Sequence, residues 1–125
     1  MVNRTQPGGD EAACVVADHP AATQPARPAA VSPAVRQRAA AMLSAAGDVA
    51  RLGLLELLGG GELCVTDIAE RTGDAMPTVS QRLRLLKREG LVAARRDGKH
   101  VYYTLADAHV RELLQNALRH AAERW

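Results

Sequence analysis

Two histidines and two carboxylates stand near the end of the chain, Asp107, His109, His120 and Glu123 in the stretch DAHVRELLQNALRHAAERW. All four are metal-ligand types, carboxylate oxygen and imidazole nitrogen. On an α-helix the eleven residues from His109 to His120 rise roughly 16 Å, whereas zinc holds its ligands at about 2 Å. One helix cannot bring both histidines to one ion. Eleven residues are also close to three whole turns, which keeps the two histidines on nearly one face. Two copies of the helix packed antiparallel across a two-fold axis therefore set Asp107 and His109 of one against His120 and Glu123 of the other. That arrangement makes two identical four-ligand sites, one at each end of the helix pair, as an isologous dimer requires. The short spacings agree: His120 and Glu123 are i, i+3 neighbours, and Asp107 turns back toward His109 if it caps the helix. Taken singly, the same residues have plainer readings, Asp107 as an N-cap and His120 with Glu123 as an exposed polar pair.

A second chemistry is carried by charge. The formal net charge is only +2, but Arg82, Arg84, Lys87, Arg88, Arg95, Arg96 and Lys99 stand close together against only Glu89 and Asp97. Such a local surplus is what a nucleic acid would feel. In PTVSQRLRLLKREG an apolar stripe of Val79, Leu83 and Leu86 leaves Pro77, Thr78, Ser80, Gln81, Arg84 and Arg88 on the opposite side. Gln suits an adenine edge, Arg a guanine edge, and Ser and Thr are adaptable, so Thr78, Ser80, Gln81 and Arg84 are the candidates for reading bases. Arg82, Lys87, Arg95, Arg96 and Lys99 are the candidates for phosphate, which positions a protein without reading sequence. A solvated basic face with no ligand is the plain alternative.

The elements that must position these groups follow from pattern. Residues 1–31 hold four of the six prolines and no sustained periodicity, and read as a flexible N-terminal arm. The rest, 32–125, reads as one domain. Pro33 opens a helix that stops at Gly47. DVARLGLLELLGGG makes a second, with Val49, Leu52, Leu55 and Leu58 expected on its inward face and Gly53 weakening it. CVTDIAERTG makes a short third, with Thr66 as N-cap and Asp67 in its first turn, ending at Gly73. The fourth begins at Pro77 and ends at Gly90. Two short helices joined by a tight turn, the second basic on its outer face, form a helix-turn-helix. LVAARRDGKHVYYTL then changes period, and Asp97-Gly98 marks a hairpin wing, with His100 a strand or wing residue rather than a ligand. The last helix carries Val110, Leu113, Leu114, Ala117, Leu118 and Ala121 on one broad face, more than a small domain covers alone. The expected fold class is mainly α with a small β-hairpin wing, a homodimeric winged helix-turn-helix, with the first and last helices at the dimer contact.

From Asp48 to Glu123 the chain resembles the ArsR/SmtB family of bacterial metal-sensing winged-helix repressors. The resemblance is carried by ELCVTDIAE, by VSQRLRLLKREGLV, by RRDGKHVYYTL and above all by the D-x-H-x10-H-x2-E pattern of Asp107, His109, His120 and Glu123. It implies an inter-subunit regulatory zinc site at those four residues, double-stranded operator DNA as partner, and metal binding that weakens the grip on DNA and derepresses genes of metal efflux or sequestration. It also implies a second site, in which Cys64 and Asp67 are joined by Cys14 and by His19 or Asp18 from the partner's arm. Relatives tuned to softer metals carry a second cysteine where this chain has Thr66, which favours zinc, with Co2+, Ni2+ or Cd2+ as other divalent ions. Met76 and Pro77 depart from the polar residues usual at the start of the recognition helix.

Other classes fit less well. No nucleophile with its base, no cofactor loop and no open metal position is evident, so an enzyme is not expected. Cys14 and Cys64, fifty residues apart, read as free thiols or ligands rather than a structural disulfide, and a redox-responsive repressor switching through them is the alternative function. No apolar run approaches the roughly 20 residues that span a bilayer, and the N-terminus lacks a signal-peptide layout, so a soluble cytoplasmic protein is expected.

Overall fold

The structure, a computed structural model, describes residues 30–124. Most of the expected arm, including Cys14, Asp18 and His19, lies outside them. Ser32 starts the first helix, α1 (Pro33–Ala46): its backbone is extended and its Oγ accepts the Val35 amide at 3.2 Å. Asp48 does the same for α2 (Val49–Gly59), its carboxylate accepting the Arg51 amide at 3.0 Å. The Arg51 guanidinium donates back to the Ala45 carbonyl at 2.6 Å, which fixes the corner between the two helices.

The inward face of α2 differs from the expected one. Leu54, Leu55 and Leu58 are buried and Leu52 half-buried, while Val49 is 92% exposed. At a 3.6-residue period the three buried leucines span an arc of about 100°, and Val49 lies about 170° from its centre. A helix with five leucines in seven positions admits more than one apolar arc, and packing against α1 and the sheet selects this one.

A strand not foreseen comes next. β1 (Leu63–Cys64) pairs antiparallel with a later strand, Leu63 opposite Tyr103 and Cys64 opposite Tyr102. The pairing holds the chain extended through Cys64, which therefore occupies the N-cap position of α3 (Val65–Thr72) without a side-chain capping bond. Thr66, expected as the cap, lies instead inside the first turn beside Asp67. The recognition helix α4 (Met76–Arg88) starts one residue before Pro77, with Val79, Leu83 and Leu86 fully buried, as the stripe predicts. It ends in a Schellman turn: the Gly90 amide donates to the Lys87 carbonyl at 3.0 Å and the Leu91 amide to the Leu86 carbonyl at 2.9 Å. Gly90 takes φ 79°, a left-handed value that a side chain resists.

Leu91 is buried and leads straight into the wing, β2 (Val92–Asp97) and β3 (His100–Leu105). Asp97 is the last paired residue, opposite His100, so the turn is Gly98-Lys99, with φ 63° at Gly98. The sheet order is β1-β3-β2. At the base of the hairpin the Ala106 amide donates to the Leu91 carbonyl at 3.0 Å, and Asp107 then starts the last helix, α5 (Ala108–Arg124). Val110 and Leu114 enter the same apolar core as α2, α3 and α4, and Leu118 is half-buried. Leu113 stays 40% exposed, with Ala117 and Ala121 also outward. The result is a mainly helical winged helix-turn-helix, the expected class.

Candidate metal and nucleic-acid interface

The four ligand types on α5 sit where their spacing requires. Asp107 is the N-cap: its Oδ1 accepts the Val110 amide at 3.0 Å. The same oxygen lies 3.8 Å from His109 Nδ1, with the two side chains 54% and 94% exposed. A carboxylate has several lone pairs on two oxygens, so capping leaves acceptor capacity for an ion. His120 and Glu123 are exposed one turn apart at the other end of the helix. Among the described residues no three His, Cys, Asp or Glu side chains gather at one point. Each end of α5 thus presents one carboxylate and one imidazole, half of the four donors that zinc takes. The donor chemistry fits such an ion when two chains contribute, and the open flank of Leu113, Ala117 and Ala121 runs between the pairs.

Cys64 is placed differently from the expected helical ligand. It ends a strand, is only 8% exposed, and lies outside the main apolar cluster. It lines a cavity of about 230 Å³ with Thr66, Met76, Ser80, Lys99 and His100, whereas Asp67 is not among the lining residues. His100 lines the same cavity, brought there by the wing. No local pattern signals it, because β1 and β3 are joined by pairing at long range.

On α4 the outer row is Pro77, Gln81, Arg84 and Arg88, exposed and opposite the buried stripe. Gln81 and Arg84 point outward as base-reading residues must. Thr78 and Ser80 flank the row half-buried, Ser80 toward the wing. The basic residues fall into two groups. Among the described residues Arg84, Lys87, Arg96 and Lys99 are exposed and make no ion pair, and Arg88 pairs only with Glu89 at 3.4 Å. Arg82 instead holds Asp74 of the inter-helix turn at 2.7 Å, its side chain 25% exposed. Arg95 donates twice to Glu62, at 3.0 and 2.7 Å, and its guanidinium lies 4.9 Å over the Tyr102 ring. The hydrogen bond from Arg95 holds the Glu62 carboxyl below its ordinary range, and the same bond raises Arg95. Glu62, Asp74 and Arg111, which donates to the Gly59 carbonyl at 2.6 Å, are partners that pattern reading missed.

The profile of the bacterial regulatory proteins of the arsR family matches residues 48–94, from the cap of α2 into the wing. A transcriptional repressor SmtB homolog of Synechocystis sp. is 41% identical over 87 residues, 70% of this chain and 66% of that protein. A cadmium resistance transcriptional regulatory protein CadC homolog of Staphylococcus aureus is 46% identical over 63 residues, 50% of this chain and 52% of that protein. The chain therefore spans between half and two thirds of the length of these two relatives. Among solved structures, the homodimeric winged helix-turn-helix DNA-binding domain of a possible ArsR-family regulator from Mycobacterium bovis superposes with a TM-score of 0.71. It shares 37% identity and covers 73% of this chain and 84% of its own. With a helix-turn-helix, a hairpin wing and relatives of this closeness, the chain belongs to the ArsR family of bacterial regulatory proteins.

Proposed function

We propose that the chain is a metal-responsive repressor that works as a homodimer, grips double-stranded DNA with α4 and the wing, and releases it when zinc or a similar divalent ion is bound. Asp107 and His109 of one subunit with His120 and Glu123 of the other would hold the ion. The observation that carries this reading is the division of α5. Val110 and Leu114 complete the chain's own core, while Leu113 and Ala117 face outward between two exposed ligand pairs. An outward apolar strip flanked by half-sites at both ends suits a second antiparallel copy. Val35 and Leu43 of α1, 43% and 56% exposed, offer further apolar surface for the same contact. The cadmium-resistance relative supports a role for a divalent metal.

When bound, the ion supplies bonds that join the two subunits at both ends of the helix pair. The residues do the rest. Asp107 caps α5 while presenting a carboxylate, so its state is tied to the first turn of the helix. Fixing the two α5 helices against each other sets the tilt of the subunits, and that tilt sets the spacing of the two α4 helices over successive major grooves. By linkage, an ion that loosens DNA binds less tightly to the DNA-bound dimer by the same coupling, typically about 1–3 kcal/mol.

The test is zinc stoichiometry in mixed dimers. His109→Ala and His120→Ala each damage both sites of a homodimer, but a heterodimer of the two keeps one site whole and loses the other. One tight ion per heterodimer, and none in either mutant homodimer, is the expected result. Tight binding with normal DNA release in the mutant homodimers would place the switch elsewhere, first at Cys64.

A further inference from the structure

We propose that Arg111 is the positioning residue that carries the state of the ligand-bearing end of α5 to the DNA-contacting wing, through the junction formed by residues 59–62. This rests on the reading of Asp107 and His109 as the effector end. Arg111 Nη1 donates to the Gly59 carbonyl at 2.6 Å, across 52 positions of sequence. Gly59 is the last residue of α2, where carbonyls lack helical partners and a cation is favoured. Among the described residues this is the only side-chain hydrogen bond from α5 to another element. It also leaves from the correct turn: the Arg111 amide donates to the Asp107 carbonyl at 3.3 Å, so displacement of the capped first turn displaces Arg111.

The junction is held from its other side as well. Glu62 takes both hydrogen bonds from Arg95, which stacks on Tyr102 of the wing. Four residues, Gly59-Gly60-Gly61-Glu62, are therefore gripped at one end by a guanidinium from α5 and at the other by a guanidinium from β2. Between the grips lie two glycines, Gly61 at φ 138°, a segment that turns without steric resistance. A cavity of about 260 Å³ lined by Gly59, Leu105, Arg111 and Leu114 lies beside the bond and leaves α5 room to shift over α2.

The experiment uses the full chain, zinc chloride, and a DNA duplex selected from a random pool by the metal-free protein. The parent is expected to lose roughly 5–150-fold in duplex affinity on adding zinc. Arg111→Met keeps the aliphatic stem and removes the donors. It should bind zinc as the parent does and bind the duplex without zinc within about threefold of the parent, while the zinc effect shrinks to less than about threefold. Arg111→Lys, which retains the charge and one reach, should restore part of the response. Glu62→Gln should weaken it too, and the double variant should respond no worse than either single, because both act on one route. Without any metal, amide exchange at Gly60 and Gly61 should quicken in Arg111→Met by about tenfold. A parent that responds to zinc, matched by an equal response in Arg111→Met with unchanged exchange, overturns the assignment alone. A parent that holds the duplex equally with and without zinc overturns the functional reading and this assignment with it.

Discussion

Replacing Lys99 by Gln, and separately Arg95 by Gln, separates cations that reach for phosphate from cations already engaged inside the domain. Lys99 stands exposed in the two-residue turn of the wing. Arg95, four residues earlier, is bonded twice to Glu62 and stacked on Tyr102. Each phosphate neutralised on duplex DNA contributes about 0.9 to the slope of log affinity against log salt. The proposed homodimer carries every residue twice, so losing Lys99 should flatten the slope by about 1.8. Between 50 and 200 mM salt, a fourfold change, that amounts to about a 12-fold smaller loss of affinity than the parent shows. Arg95→Gln should leave the slope within about 0.3 of the parent, since its charge is already matched by a carboxylate. Fluorescence anisotropy of a labelled duplex at four salt concentrations measures both. Equal flattening by the two changes would show that Arg95 leaves Glu62 for phosphate in the complex, and would refute the division of the basic residues drawn from the ion pairs.

Two glycines should answer alanine in opposite senses. Gly53 lies inside α2 with nothing within 4 Å of an added Cβ, so Gly53→Ala should stabilise by about 0.5–1 kcal/mol. Gly90→Ala meets open space as well, but at φ 79° it should cost about 1–2 kcal/mol, both read from urea melts. Leu113→Glu should yield a folded monomer by sedimentation, because Leu113 is 40% exposed, whereas Leu114→Ala, at a residue 7% exposed, should lower stability by about 2–5 kcal/mol. A Leu113→Glu protein that remains dimeric at micromolar concentration would move the subunit contact off α5. The Glu62 carboxyl titrates below its ordinary 4.5 because it accepts from Arg95. The pair therefore holds at pH 4.5 and above, and is lost as pH falls through the lowered value. The Arg95 Nε–H chemical shift should stay constant down to about pH 4.5 and move toward that of an unpaired guanidinium below it; a shift that does not move down to pH 2 would contradict the assignment of the bond.

What was legible in the sequence is what repeats or caps. Val79, Leu83 and Leu86 repeat at helical spacing and are buried together. Asp107 stands immediately before a periodic apolar run, and it caps α5. The separation of the two candidate pairs on α5 was legible because a helix converts sequence distance into length, so that eleven residues exclude a shared ion within one chain. β1 was not legible, since two residues show no period; its partner strand lies about forty positions on, and missing it misplaced the start of α3 at Thr66. The arc of α2 was ambiguous because its leucines are too many to choose a face by themselves. Glu62 and Arg95, 33 positions apart, meet only because β1 and β2 flank β3, and nothing local in either residue announces the other.

The hydrogen bond from Ala106 to Leu91 closes the wing at its base, two residues before α5 and three after α4. Both ends of the hairpin are thereby pinned to the same point of the core, and everything beyond them is a detachable length of ribbon. Residues added or removed at the Gly98-Lys99 tip, in balanced pairs, leave the base register and the facing of Val92 and Leu105 untouched. The wing can therefore grow, shrink or change its charge in descendants of this chain without disturbing α4 or α5. That makes its tip the segment where the proposed reach along the duplex can change with least effect on the fold.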